Sequence, residues 1–452
     1  MDTLLFLSIF SALGALYFYL GVKASRNVTT ATDYFVANRQ LGVWQISSNL
    51  IATQVGGGML LGTAAAAYAN GYFGLSYTIG MALGFLLLAS GIAARLQQFM
   101  VTTTAQLFEV QYGSVILKKI ASLLSIATLF GILIAQVVGF KSLMIALGFG
   151  SWFIVLPFWI SVIAYTMIGG LRAITINDMV QMAIIISTFG GIFAYMLFND
   201  PASLWNTFTA QTTIFQARQL SLASISSIIL MPGLFSLIEQ DLAQRFFASR
   251  TKAVATTSAF IAAIFLMLFA VIPVYFGMQA KLTGLTIAQD ANPLIALLQS
   301  KLPQIIFAFT LCAIVAAIIS TADALMNGIS ANITQDFKLQ SVLQVDGLRI
   351  SKITTLLVGL SSLLASYFVS PNIIDIIINS YQISVCCLLV PLLFCYYRKT
   401  NPQPAAYAAI AGGLCGLIAG SFLPLPIPKE IIALSLSLFG YWQGNKYATE
   451  IE

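Results

Sequence analysis

Apolar residues arrive along this chain in long unbroken blocks, without the alternation of a half-buried strand or the narrow stripe of a surface helix. An α-helix needs about 20 apolar residues to cross a bilayer's hydrocarbon core. By that measure the pattern predicts about thirteen membrane-spanning helices. They lie near residues 3–22, 43–67, 71–95, 116–146, 151–169, 173–198, 220–246, 253–279, 303–333, 350–369, 373–397, 404–422 and 428–443. The longest stretches between blocks, near 199–219 and 280–302, are too short to fold as domains, which argues against a fused soluble enzyme or kinase. The expected fold class is an all-α polytopic membrane protein.

Composition agrees with the pattern. Hydrophobic residues make up 59% of the 452 positions and charged residues 8%, against about 25% charged in a soluble globular chain. The mean hydropathy is +0.92, so lipid is the expected solvent. The net charge of +6 does not point to nucleic acid, because the basic residues are scattered between apolar blocks. Their placement points to topology instead. With the N-terminus outside, the inner loops hold Lys23, Arg26, Arg39, Arg95, Lys118, Lys119, Arg172, Arg245, Arg250, Lys252, Lys338, Arg349, Lys352, Arg398, Lys399 and Lys446. The outer loops hold only Arg218, Lys281, Lys301 and Lys429, and Lys141 falls inside a block. That asymmetry follows the positive-inside rule and predicts an outer N-terminus and a cytoplasmic C-terminus. Asp2 stands where a signal peptide carries basic residues, so the first block reads as a retained span.

The absence of histidine removes histidine proton relays and histidine-ligated metals. The five cysteines, Cys312, Cys386, Cys387, Cys395 and Cys415, lie in apolar blocks without metal or redox spacing. They read as buried free thiols. No cluster of catalytic side chains suggests an enzyme.

Two blocks carry strong helix breakers at mid-depth. The second reads SNLIATQVGGGMLLGTA, with Gly56, Gly57 and Gly58 in a row, and the seventh reads IILMPGLFSLIEQDLAQR, with Pro232 beside Gly233. Unwound backbone is tolerated in lipid only where protein or a water-filled cavity satisfies it. One such block alone would read as close helix packing. Two, five spans apart, predict a five-plus-five inverted repeat with its site at the breaks. Residues 43–198 form the expected first repeat and 220–397 the second. An extra span at 3–22 precedes them and two more at 404–443 follow, making 1–452 one transporter domain.

Ionisable groups inside a bilayer cost at least ~2.5 kcal/mol on insertion scales. Asp178, Glu239, Asp241 and Asp323 all fall within or at the edge of blocks; Asp178 is expected near the interface. Ser320 and Thr321 are adjacent hydroxyls beside a run of small residues. They suit a hard cation, which takes oxygen ligands, or else they serve helix carbonyls and neighbouring helices. The acidic pair Glu239 and Asp241, with Gln240 between, suits an ammonium group on a solute, or else faces an inner vestibule and pairs with Arg245 or Arg250.

Several segments resemble the sodium:solute symporter family, which includes bacterial proline and sugar symporters. GGLRAITINDMVQ, from Gly169 to Gln181, and STADALMNGISANITQDF, from Ser320 to Phe337, are similar to its two signatures. DYFVANRQLGVW, from Asp33 to Trp44, and LAQRFFASR, from Leu242 to Arg250, resemble the entry to the second span and the end of the seventh. The resemblance implies a sodium site made of the carbonyls of Ala52, Val55 and Ala317 and the hydroxyls of Ser320 and Thr321. Asp178 matches a family aspartate on the sodium path, and Asp323 stands where relatives often have serine, so a second cation site would use both. The solute candidates are Gln54, Gly56, Gly57, Met59, Glu239, Gln240 and Asp241. Met59 and Thr78 align roughly where sugar carriers place polar ligands, and Met59 disfavours a sugar. The expectation is sodium-coupled import of a small solute by alternating access across a bacterial-type inner membrane, with Na+ and lipid as the other partners and no obligate protein partner. An amino acid such as proline is preferred; a carboxylate, vitamin or sugar is the alternative. An ion channel and a sensor-like binder are the rival classes.

Overall fold

The computed structural model describes residues 3–26, 28–148, 152–210, 222–285, 287, 291–369, 372–398, 401–422 and 427–451. Asp2, Arg218 and Lys399 lie outside them. Among the described residues the regular secondary structure is all helix, apart from one isolated bridge between Leu41 and Ser249. Ten stretches are long and apolar enough to cross a membrane. Two of these, Gly58–Gln98 and Val155–Asn199, are 41 and 45 residues long. At 1.5 Å per residue each is about twice the hydrocarbon thickness. Each turns at a glycine with positive φ, Gly71 (66°) in the first and Gly170 (55°) in the second, and so crosses twice. The last helix, Lys429–Ile451, has the length to span but a more polar C-terminal half. The ten stretches thus supply twelve crossings, and the last helix makes the thirteen spans expected.

The helices that matter below are α1 (Thr3–Ser25), α2 (Val43–Gln54), α3 (Thr63–Asn70), α4 (Leu75–Leu87), α5 (Val115–Ala146), α6 (Trp152–Ile185), α7 (Leu222–Ser236) and α8 (Gln240–Ala248). They continue with α9 (Lys252–Phe269), α10 (Val271–Leu282), α11 (Gln304–Ala331), α12 (Gly347–Ala365), α13 (Ile373–Tyr397), α14 (Gln403–Phe422) and α15 (Lys429–Ile451). A helix apolar on every face belongs in the centre of a bundle. α11 is that helix, buried continuously from Thr310 to Ala331, with α5, α6 and α12 around it. Its alanines let neighbours approach closely. α1 rides on the outside against α6 and α11, largely exposed, as a span added to a core would be.

The break in the second span falls at Val55 and Gly56, between α2 and a π-turn at Gly58–Gly62, where it was expected. The break in the seventh does not fall at Pro232-Gly233. α7 runs through both and stops at Ser236, and the unwound residues are Leu237–Glu239. The Pro232 carbonyl accepts a 2.8 Å bond from Ser236 Oγ in the last turn of α7. Gly233 serves packing, since a Cβ there would lie 2.8 Å from the Gly80 carbonyl of α4. The break sits where other helices satisfy it: Tyr396 of α13 donates to the freed Leu237 carbonyl at 2.8 Å.

Four cysteines are buried and free as expected, but Cys415 on α14 is exposed. α14 packs on α15 and α13 along only part of its surface, and Cys415 lies on the remainder. The Asp178 side chain is wholly buried, on the part of α6 that follows the turn at Gly170.

Candidate functional site

Unwinding at Val55 and Gly56 frees backbone groups, and each one traced finds a partner on another helix. The Gly57 N–H, which would close a helical bond to Thr53, donates instead to Gln136 Oε1 of α5 at 3.0 Å. The released Thr53 carbonyl accepts the Thr321 hydroxyl at 2.6 Å. Ser320 Oγ donates to the Ala52 carbonyl at 2.8 Å and to the Ala317 carbonyl at 2.9 Å. Val55 has ψ of 53°, far from the helical value, so its carbonyl has turned out of helical register. Of the oxygens that the resemblance implied, those of Ala52, Ala317, Ser320 and Thr321 therefore lie together where α2 ends against α11. They are carbonyl and hydroxyl oxygens in a buried place, a donor set suited to a hard monovalent cation.

A second polar cluster lies beside the first, between α6 and α11. Asp323 is wholly buried and accepts a hydrogen bond from the Tyr165 hydroxyl. Its Oδ1, both oxygens of Asp178 and Asn327 Oδ1 are buried without a hydrogen-bond partner among the described residues. Buried polar atoms are normally satisfied, so these oxygens mark a place where a further group is expected.

The acidic residues after the seventh-span break part company. Asp241 is wholly buried, 3.7 Å from the Arg245 guanidinium. Arg245 is itself only 1% exposed and does not face a vestibule. It also donates to Asn49 Oδ1, to the Asp241 carbonyl and, at 2.6 Å, to the Thr53 hydroxyl. It ties α8 to α2 next to both breaks. Gln240 turns the other way. Its Oε1 accepts from the Thr104 N–H at 2.6 Å and its Nε2 donates to the Thr102 carbonyl at 3.1 Å. Gln240 thus lies off the central pocket, because the loop at residues 101–105 takes its polar atoms. Asp241 does not line the pocket either, and both its carboxylate oxygens are buried without a hydrogen-bond partner among the described residues. Glu239 alone stays at the break, 3.5 Å from Gln54 Nε2.

Glu239, Gln54, Gly56 and Met59 share a small central cavity of about 20 Å³ with Tyr77, Gln136, Thr321 and Tyr381. That volume holds about one water. Gly57 sits behind it, bonded to Gln136, and Thr78 does not line it. The Tyr77 and Tyr381 hydroxyls lie 3.1 Å apart, and Phe235 stacks on Tyr381 at 4.3 Å. A larger space of about 450 Å³, lined in part by Gly62, Asn70, Asn292 and Asp375, opens farther along the second span. Between the two, Ile377 and Ile374 of α13 close against Gly58 and Gly62, where a Cβ would come within 2.7 Å of each isoleucine.

Sequence reasoning missed Gln136, Asn49, Tyr77, Tyr165 and Tyr381. Each is a lone polar or amphipathic residue in an apolar block, and only a polar residue at mid-span could have drawn attention to Gln136 and Asn49.

A family model described as the sodium:solute symporter family matches residues 34–413. Among solved structures, the chain is similar to a Na+-coupled sialic acid symporter in a substrate-bound, outward-open state. The TM-score is 0.80 at 16% identity, covering 98% of this chain and 97% of that one. It is also similar to Mhp1, a nucleobase-cation-symport-1 family transporter, in a closed conformation with bromovinylhydantoin bound. There the TM-score is 0.62 at 12% identity, covering 92% and 95%. An inward-facing conformation of Mhp1 gives 0.57 at 11% identity, covering 92% of each chain.

Proposed function

We propose, from the premise that the chain belongs to the sodium:solute symporter family and couples movement of a solute to sodium, that its solute is a small zwitterion bearing an ammonium group, such as an amino acid. The observation that carries this reading is the Glu239 carboxylate at the pocket wall, hydrogen-bonded to Gln54. It stands in the unwound segment between α7 and α8, immediately before the first residue of α8. The start of the second half of the second span faces the same pocket and offers partial positive charge to a carboxylate. Tyr77, Tyr381, Met59 and Ile132 supply the apolar remainder.

Sodium is taken as bound by Ala52, Val55, Ala317, Ser320 and Thr321. Asp178 and Asp323 are assigned to a second cation or to coupling, on the strength of their unsatisfied buried oxygens. Sodium binding draws α2 against α11 and fixes the pocket face formed by Gln54, Gly56 and Met59. Solute then binds between the two breaks. Rocking of the helix bundle exposes both ligands on the other side. The N-terminus is assigned outside, the C-terminus to the cytoplasm, and the location to a bacterial-type inner membrane. The membrane potential contributes ~2.3 kcal/mol per charge per 100 mV to the inward step.

Thermal stability of purified protein, screened against solutes with and without sodium, tests the assignment. The expected result is sodium-dependent stabilisation by an amine-bearing zwitterion. Glu239→Gln should weaken that solute by about tenfold or more, the scale of one charge-assisted hydrogen bond, with the sodium midpoint in the absence of solute unchanged. Sodium-dependent stabilisation by an uncharged sugar or an amine-free acid alone would overturn it.

A further inference from the structure

At one end of the bundle, away from the solute pocket, a cavity of about 610 Å³ separates the end of the third span from the end of α13. Its wall carries two arginines, Arg95 and Arg398, together with Gln98, Gln111, Tyr396 and Tyr397, and no acidic side chain. Both guanidiniums are held in place. Arg95 donates to the Tyr396 carbonyl at 2.9 Å and lies 4.6 Å from the centre of the Tyr397 ring. Arg398 donates to Asn445 Oδ1 at 3.1 Å and lies 5.0 Å from the centre of the Phe394 ring. Among the described residues no carboxylate pairs with Arg95. The nearest acid in sequence, Glu109, is bound to Lys118.

The surroundings say which kind of anion reaches this place. Leu87 and Leu83, one and two turns before the cavity on the same span, are exposed, and so is Tyr397 on its wall. In a membrane protein such apolar exposure faces acyl chains. The cavity also lies where two spans leave the hydrocarbon, the depth of lipid phosphates. Arginine forks and glutamine amides are phosphate donors, and ring-stacked guanidiniums lose little freedom on binding.

We propose that this cavity is a binding site for the phosphate headgroup of an anionic phospholipid, held by Arg95 and Arg398 with its acyl chains along Leu83 and Leu87. The site ties the third span to α13, whose other end closes over the solute pocket at Ile377, so its occupant bridges a pocket wall and the helix that covers it.

Native mass spectrometry of the full-length protein, exchanged between phosphatidylglycerol and phosphatidylcholine, tests this. The expected result is retention of at least one phosphatidylglycerol in preference to phosphatidylcholine. Each basic residue at an anionic surface contributes about a fivefold gain in partition, so R95Q/R398Q should lose the preference by roughly 25-fold. R95K/R398K keeps the charge without the planar fork and should retain most of it, which separates lost binding from lost folding. Equal binding of the two lipids, or a preference unchanged in R95Q/R398Q, overturns the proposal. Stabilisation by millimolar inorganic phosphate that competes with the lipid would make the site one for a soluble phosphate, and overturns its assignment to lipid.

Discussion

A Cβ at Gly56 would overlap the Thr321 hydroxyl and come within 3.1 Å of Gln136 Oε1. No side chain fits between α2 and α11 at that level. The same closeness lets the Thr53 and Ala52 carbonyls reach Thr321 and Ser320. Removing both hydroxyls, as in Ser320→Ala with Thr321→Ala, takes away two oxygens of the assigned sodium site. Each hydrogen bond to a charged group is worth about 1.5–3 kcal/mol, so half-maximal sodium should rise at least a hundredfold, read as sodium-dependent uptake into proteoliposomes. Uptake with unchanged sodium dependence would move the site elsewhere. This pair was legible because two adjacent hydroxyls in an apolar run are conspicuous. Gln136 was not legible, although it holds the Gly57 N–H. A single glutamine in a span reads like any interhelical hydrogen bond until the break that it satisfies is located.

At the scale of elements, long apolar blocks announced nearly every helix, since only a helix satisfies its own backbone in lipid. The glycine run also located the second-span break. The seventh-span break was misplaced because Pro232 and Gly233 mark where a helix is weak, whereas unwinding occurs where distant groups receive the freed polar atoms. Tyr396 and Gln54, which meet Leu237 and Glu239, are far away in sequence. The residue after that break has a consequence of its own. Gln240 grips Thr102 and Thr104, Asp336 accepts from Thr103 at 2.6 Å, and Arg39 donates to the carbonyls of Met100 and Val101 at 2.9 and 3.0 Å. Residues 101–105 are buried throughout despite three threonines. Glu239 at the pocket and Gln240 on this plug are neighbours in the chain, so movement at the break pulls directly on the loop. Gln240→Ala should raise maleimide labelling of Thr103→Cys, in a background lacking Cys415, by about an order of magnitude, as expected for losing two buried hydrogen bonds. No change in labelling would mean that the plug is held without Gln240.

For the whole molecule, the end at which that plug lies should be the cytoplasmic one. Arg39 joins the loop after α1 to the carbonyl of Met100 before α5 and to the Phe247 carbonyl at the end of α8. Three loops separated by even numbers of spans therefore meet at one end, as thirteen alternating crossings require. Arg95 and Arg250 stand at the same end, while Lys281 follows the opposite end of the eighth span. Basic residues resist translocation, so this end is expected to stay in the cytoplasm. Single cysteines at exposed sites of either end decide the matter: Thr449→Cys near the end of α15 and Thr283→Cys after α10. In sealed right-side-out vesicles, a membrane-impermeant maleimide should label the second and leave the first until the membrane is permeabilised. The opposite pattern would invert the chain. It would then place the larger space beside Asn70 and Asp375 on the cytoplasmic side, where a solute leaves rather than enters.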